Sequence, residues 1–187
     1  MLKIFSEGKK LGIFLDDLQV SKKWLPKMYI DWFSGEQINE INPQNSFHSH
    51  CSAFVSSVCS RLKIPIIGPE FNVPTEGLAN VQYQWLNDYG KIFGWTEIIH
   101  QNYIIKQTYA QVYANKGHIV IVCYYNTNDK NRGHIAIIKP CQITPIELLT
   151  YGPLVCQAGK INSSSIYLNK AFYGKDIDLC RFWIWNQ

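Results

Sequence analysis

The stretch HIVIVCYY-NTNDKNRG-HIAIIKP, residues 118–140, constrains the fold most tightly. Two β-branched apolar runs flank a segment of Asn, Asp, Lys and Gly, the composition of a turn. The runs are apolar at consecutive positions and do not alternate, so both faces of the resulting antiparallel hairpin must be covered. Such a hairpin belongs at the centre of a sheet with other elements packed above and below it. PLVCQAG (153–159) and CRFWIWNQ (180–187) read as further strands.

The earlier part of the chain has helical periodicity. From Cys51 to Leu62, the residues Phe54, Val55, Val58, Cys59 and Leu62 recur at helical spacing. Ser46 or Ser49 can cap the start, and Pro65 follows the end. Cys51 therefore falls in the first turn. A second helix is expected over about 76–89, with Leu78, Val81, Gln82, Trp85, Leu86 and Tyr89 on one stripe. A third is expected over about 104–116, with Gly117 as the residue that ends it. Apolar positions between 9 and 33 predict an N-terminal helical lobe that ends near Gly35, and the polar stretch 36–50 predicts a loop. Helices first and a sheet second predict an α+β domain over 1–187, with the lobe at 1–44 and the core at 45–187.

Composition excludes several classes. Charged residues are 17% of the chain and the net charge is +4. The densest basic spots are the pairs Lys9-Lys10 and Lys22-Lys23, so there is no basic stripe for nucleic acid. No run reaches the ~18 apolar residues of a membrane span. The start MLKIFSEGKKLGIFLDD is interrupted by Asp16 and Asp17 and is followed by no small-residue cleavage site, so it is not read as a signal peptide. Six cysteines, at 51, 59, 123, 141, 156 and 180, include no C-x-x-C pair. Cys141 and Cys156 are close enough along the chain to meet, and reduced core thiols are the alternative. The dense H-x-H-C of His48, His50 and Cys51 lacks an acidic neighbour, so a metal is not expected.

Cys51 carries the chemistry. A free thiol has a pKa of about 8.5 and is a poor nucleophile at neutral pH. A helix N-terminus favours the thiolate, and its free first-turn N–H groups can hold an oxyanion. A histidine must then lie within reach, oriented by a third group. Of His48, His50, His100, His118 and His134, the last two open the paired strands, and spacing alone does not choose between them.

HCSAFVSSVCSRLKIPI resembles the cysteine motif of NlpC-type and CHAP-type cell-wall peptidases, and KGHIVIVCYY and NRGHIAII resemble their first core strand and histidine strand. The resemblance spans about residues 45–140. It implies a papain-like fold, with the cysteine helix packed on a central antiparallel sheet. It selects His134 as the base and leaves His118 a structural or rim position. It implies a polar third residue on the next strand: Gln157, accepting from the His134 Nδ1–H, with Asn162 in reserve. His50 and Ser52, which flank the nucleophile, and Asn80 are the expected substrate contacts; Gln82 and Gln84 lie on the same groove wall. His50 departs from the Asp or Gln usual at its position. The function implied is a cysteine hydrolase without metal or cofactor, cutting a peptide amide of peptidoglycan at the bacterial cell wall. An inhibitory immunity-type protein is a further implied partner if the chain is an effector. An acyltransferase, a host-directed protease and a non-catalytic binding module are the alternatives on the same scaffold.

Overall fold

The computed structural model describes residues 1–25, 28–31, 36–41, 51–68, 78–127, 133–175 and 177–186. Its centre is a six-stranded antiparallel sheet, which makes the chain an α+β protein. In chain order the N-terminal elements are α1 (Ser6–Asp17), α2 (Val20–Lys23), β1 (Met28–Ile30) and β2 (Gln37–Ile41). The core follows with α3 (Cys51–Arg61), α4 (Leu78–Asp88), β3 (Trp95–Glu97), α5 (Tyr103–Asn115), β4 (Val120–Tyr124) and β5 (His134–Ile138). It closes with α6 (Pro145–Tyr151), β6 (Leu154–Gln157), β7 (Ser163–Tyr167), α7 (Leu168–Ala171) and β8 (Arg181–Trp185). The strand order is β3-β8-β4-β5-β6-β7, so the β4–β5 hairpin occupies the middle.

The doubly apolar hairpin divides its side chains between two cores. Ile121, Cys123, Ile135 and Ile137 face α3 and the N-terminal helices, together with Leu15, Trp24, Phe54 and Val58. Val120, Val122, Ala136 and Ile138 face α5 and α7, together with Ala110, Ala114, Leu168 and Phe172. Each fully buried isoleucine contributes on the order of 1.5–3 kcal/mol by leaving water. Ile121, Ile135, Ile137 and Ile138 are all at 0% exposure, so covering both faces is a main source of stability.

Helix α3 is buried on every side from Cys51 to Cys59, beyond the single stripe its periodicity predicts. Its serines make this possible. They are small, and Ser56 Oγ donates to the Ile67 carbonyl. Helix α5 starts with Asn102, whose side chain accepts from the Ile104 and Ile105 N–H groups. It ends in a Schellman motif: the His118 N–H donates to the Tyr113 carbonyl and the Gly117 N–H to the Ala114 carbonyl. Thr144 and Glu147 form a capping box that opens α6 inside the long 140–153 connection.

The N-terminal lobe differs from expectation. It is helical only through α2, and β1 and β2 then pair antiparallel where helix and loop are expected. The sequence reason is visible. Pro26 cannot continue a helical pattern, and Tyr29, Ile30, Ile38 and Ile41 are residue types that favour strands. Among the described residues, no helix is long and apolar enough to cross a membrane.

Candidate active site

Cys51 is the first residue of α3 and is 3% exposed. The helix beneath it is fixed from behind. Gln82 of α4 is fully buried, and its Nε2 donates to the Ser52 carbonyl at 3.2 Å, to Ser56 Oγ at 2.9 Å and to the Ile67 carbonyl at 3.1 Å. These bonds anchor the first two turns of α3, whose N-terminal end carries the positive end of the helix dipole.

His134 is the first residue of β5 and pairs with Tyr124 of β4. Strand alternation gives it the face of Ala136 and Ile138, and Phe172 packs on its ring at 4.6 Å between centroids. Cys51 belongs to the opposite core. His134 nevertheless hydrogen-bonds Cys51. Gly133 leaves the space for this contact: a Cβ there would lie 2.3 Å from Asn80 Oδ1 and 2.7 Å from the Tyr124 carbonyl oxygen.

Gln157 ends β6 and is 2% exposed. Its Oε1 lies 2.6 Å from His134 Nε2, and its Nε2 donates to the Ile161 carbonyl at 3.0 Å. The second bond fixes the amide, because a carbonyl can only accept. The Gln157 oxygen is then the acceptor facing His134, so the ring carries its proton on Nε2. Nδ1 is left for the thiol. This reverses the expected use of the ring nitrogens, since the amide approaches the outer end of the imidazole. Burial works against the imidazolium, yet the Cys51 hydrogen bond, the thiolate charge and the Gln157 hydrogen bond together hold His134 above its ordinary pKa. Lys175 opposes them by charge repulsion; its Nζ sits 5.1 Å from the centroid of the Tyr124 ring.

The other expected residues have different surroundings. Ser52 is buried, with its carbonyl taken by Gln82. Asn80 clamps the loop after β4: its Oδ1 accepts from the Asn126 N–H at 3.1 Å and its Nδ2 donates to the Asn126 carbonyl at 3.0 Å. Asn162 bonds the Trp24 carbonyl and the Gly159 N–H, and Gln84 bonds the Tyr125 hydroxyl. His48, His50, Ser46 and Ser49 lie outside the described residues. His100 accepts from the Asn102 N–H in an exposed loop. His118 packs on Tyr113 beside a cleft of about 340 Å³, which the Leu62 and Ile64 end of α3 helps to line. None of the six cysteines is in a disulfide, so Cys141 and Cys156 are not joined. Among the described residues, no group of three His, Cys, Asp or Glu side chains is placed to hold a metal. Sequence reasoning missed Phe172 and Lys175, which follow α7 without any motif to mark them.

A scan against protein-family models finds no match for the chain, and a search of curated proteins finds none either.

Proposed function

We propose that this chain is a papain-like cysteine amidase of the NlpC/CHAP type, cutting a peptide amide of bacterial peptidoglycan at the cell wall. One observation carries the reading. Cys51, His134 and Gln157 form a continuous hydrogen-bonded chain in which the Gln157 amide has a single allowed orientation. A histidine packed only for stability would not need a helix-terminal thiol on one nitrogen and an oriented amide oxygen on the other.

The chemistry follows from the tautomer. His134 Nδ1 takes the Cys51 proton, and the thiolate attacks the amide carbonyl. The N–H groups of the first turn of α3 receive the developing oxyanion. The imidazolium, kept in place by Gln157 through Nε2–H, protonates the leaving amine at Nδ1. Water then enters, gives a proton to Nδ1 and attacks the thioester, releasing the carboxylic acid and the free thiol. Two sequence features support peptidoglycan as substrate: the likeness of HCSAFVSSVCSRLKIPI and NRGHIAII to cell-wall peptidases, and the mild positive charge, which suits an anionic polymer.

The test is a digest of purified sacculi with the wild-type protein and with Cys51→Ala, followed by mass spectrometry of the soluble fragments. New muropeptides from the wild type alone are expected, and their masses identify the amide bond. No fragments from either protein, across walls of different peptide chemistry, would overturn the assignment. Transfer of an acyl group to an added amine would redirect it to an acyltransferase.

A further inference from the structure

Among the described residues, Trp24 ties the N-terminal lobe to the candidate site in two ways. The Trp24 ring packs edge-on against Phe54, three residues beyond Cys51 on α3, with centroids 5.4 Å apart and planes at 87°. The Trp24 carbonyl accepts from Asn162 Nδ2 at 2.5 Å. Asn162 Oδ1 in turn accepts from the Gly159 N–H at 2.7 Å. These bonds shape the turn between β6 and β7, which presents the Ile161 carbonyl to Gln157. Trp24 is 2% exposed, so it is a wedge within the core and not a surface contact.

We propose that Asn162 is a positioning residue for the Cys51–His134–Gln157 chain, and that through it Trp24 makes the N-terminal lobe part of the active site. The inference rests on the cysteine-hydrolase reading and adds a role for the lobe. The path runs from the Trp24 carbonyl to Asn162, through the 158–162 turn to the Ile161 carbonyl, then to the Gln157 amide and the His134 ring. Without Asn162, the turn loses the bond that closes it and the bond that ties it to the lobe. The Ile161 carbonyl then no longer holds the Gln157 amide in one orientation. A rotated amide would present N–H to His134 Nε2–H, donor against donor, and the ring would lose the tautomer that serves the thiol. The same Trp24 fixes α3 through Phe54, so the nucleophile and the base-orienting turn share one reference point.

The test measures Cys51 itself, independently of any substrate. The rate of Cys51 alkylation by iodoacetamide is followed against pH, resolved to the residue by peptide mass spectrometry. The proteins are wild type, Asn162→Ala, Asn162→Asp, Gln157→Ala and the double Asn162→Ala/Gln157→Ala variant, each checked for cooperative melting. Asn162→Ala and Gln157→Ala are each expected to slow alkylation near pH 6 by roughly 10- to 100-fold. The double variant is expected to be no slower than Gln157→Ala alone, because Asn162 acts through Gln157. Asn162→Asp keeps the acceptor for Gly159, loses the donor to Trp24 and is expected to be slowed as well. It stands in if the alanine variant does not fold.

Wild-type rates in Asn162→Ala, or a double variant slowed by the product of the single effects, would overturn the positioning role. Wild-type rates in Asn162→Asp alone would overturn the lobe's share. A slow, ordinary thiol in the unmodified protein would defeat the hydrolase reading and this inference together. A fast wild-type thiol indifferent to Asn162 defeats only the inference.

Discussion

Two Gly-His pairs mark the starts of the two central strands: Gly117-His118 just ahead of β4, and Gly133-His134, whose histidine is the first residue of β5. By composition they are interchangeable. By position they are opposites, because antiparallel pairing sends the starts of neighbouring strands to opposite ends of the sheet. His134 arrives at the N-terminus of α3, where it meets Cys51 and Gln157. His118 arrives near the other end of that helix, against Tyr113 and the apolar cleft walled by Leu11, Phe14 and Trp185. The same residue type is bound into a polar chain at one end and packed as a ring at the other. A helix has one positive end, so only one of the two histidines can share it with a thiol.

The largest effect should separate the two ends. Cys51→Ala and His134→Ala are expected to lower kcat/KM on a soluble muropeptide by roughly 1,000-fold or more, the scale at which a nucleophile and its base act as a unit. His118→Ala should stay within about twofold. Comparable losses at both histidines would break the comparison.

The two glycines sharpen it. Both Gly133→Ala and Gly117→Ala should destabilise the protein by on the order of 1–3 kcal/mol in denaturant titrations, through steric overlap. At Gly133 the new Cβ meets Asn80 and the Tyr124 carbonyl; at Gly117 it meets Glu7, and the backbone has a φ of +99°. Only Gly133→Ala should also lower kcat, since the strained residue directly precedes His134.

Acid–base behaviour gives a smaller, signed effect. His134 is held above its ordinary value. Its protonated form therefore contributes stability that is fully present below the unfolded value of about 6.5 and is lost as pH rises through the folded pKa. In the proposed mechanism the reactive ion pair ends where this imidazolium loses its proton, so the alkaline limb of the rate follows the same group. Lys175→Met removes a repulsion and should move the alkaline limb of the pH–rate profile upward. Gln157→Ala removes a supporting hydrogen bond and should move it downward. Shifts of the opposite sign in kcat/KM against pH would contradict the assigned contacts.

The smallest effect concerns the other thiols. Burial pushes Cys141 up to about 11 and Cys156 up to about 12, with Cys59 higher still. Alkylation of the folded protein at neutral pH should therefore modify Cys51 ahead of all three.

The central elements were legible because their periodicities are strong. The 51–62 stripe, the doubly apolar hairpin and the strands at 153–159 and 180–187 all correspond to described elements. β3 and β7 were not legible. One is three residues long, the other is the serine-rich SSSIY, and both lie at sheet edges, where one strand neighbour is enough and the apolar signal is weak. Antiparallel pairing sends His118 and His134 to opposite ends of the sheet, but which end meets the start of α3 depends on how that helix lies on the sheet, which spacing does not encode. The nitrogen facing Gln157 depends on the angle at which the ring leaves the strand end, which spacing does not encode. The Trp24–Asn162 bond joins residues 138 apart, and no local pattern announces it.

The most direct measurement is an ultraviolet titration of thiolate absorbance, wild type minus Cys51→Ser. The account predicts an inflection for Cys51 well below the ordinary thiol value of about 8.5, one that moves up toward that value in His134→Ala and stays in place in His118→Ala. An inflection at or above the ordinary value, or one indifferent to His134, would contradict the claim that this thiol and this histidine form a single reactive pair.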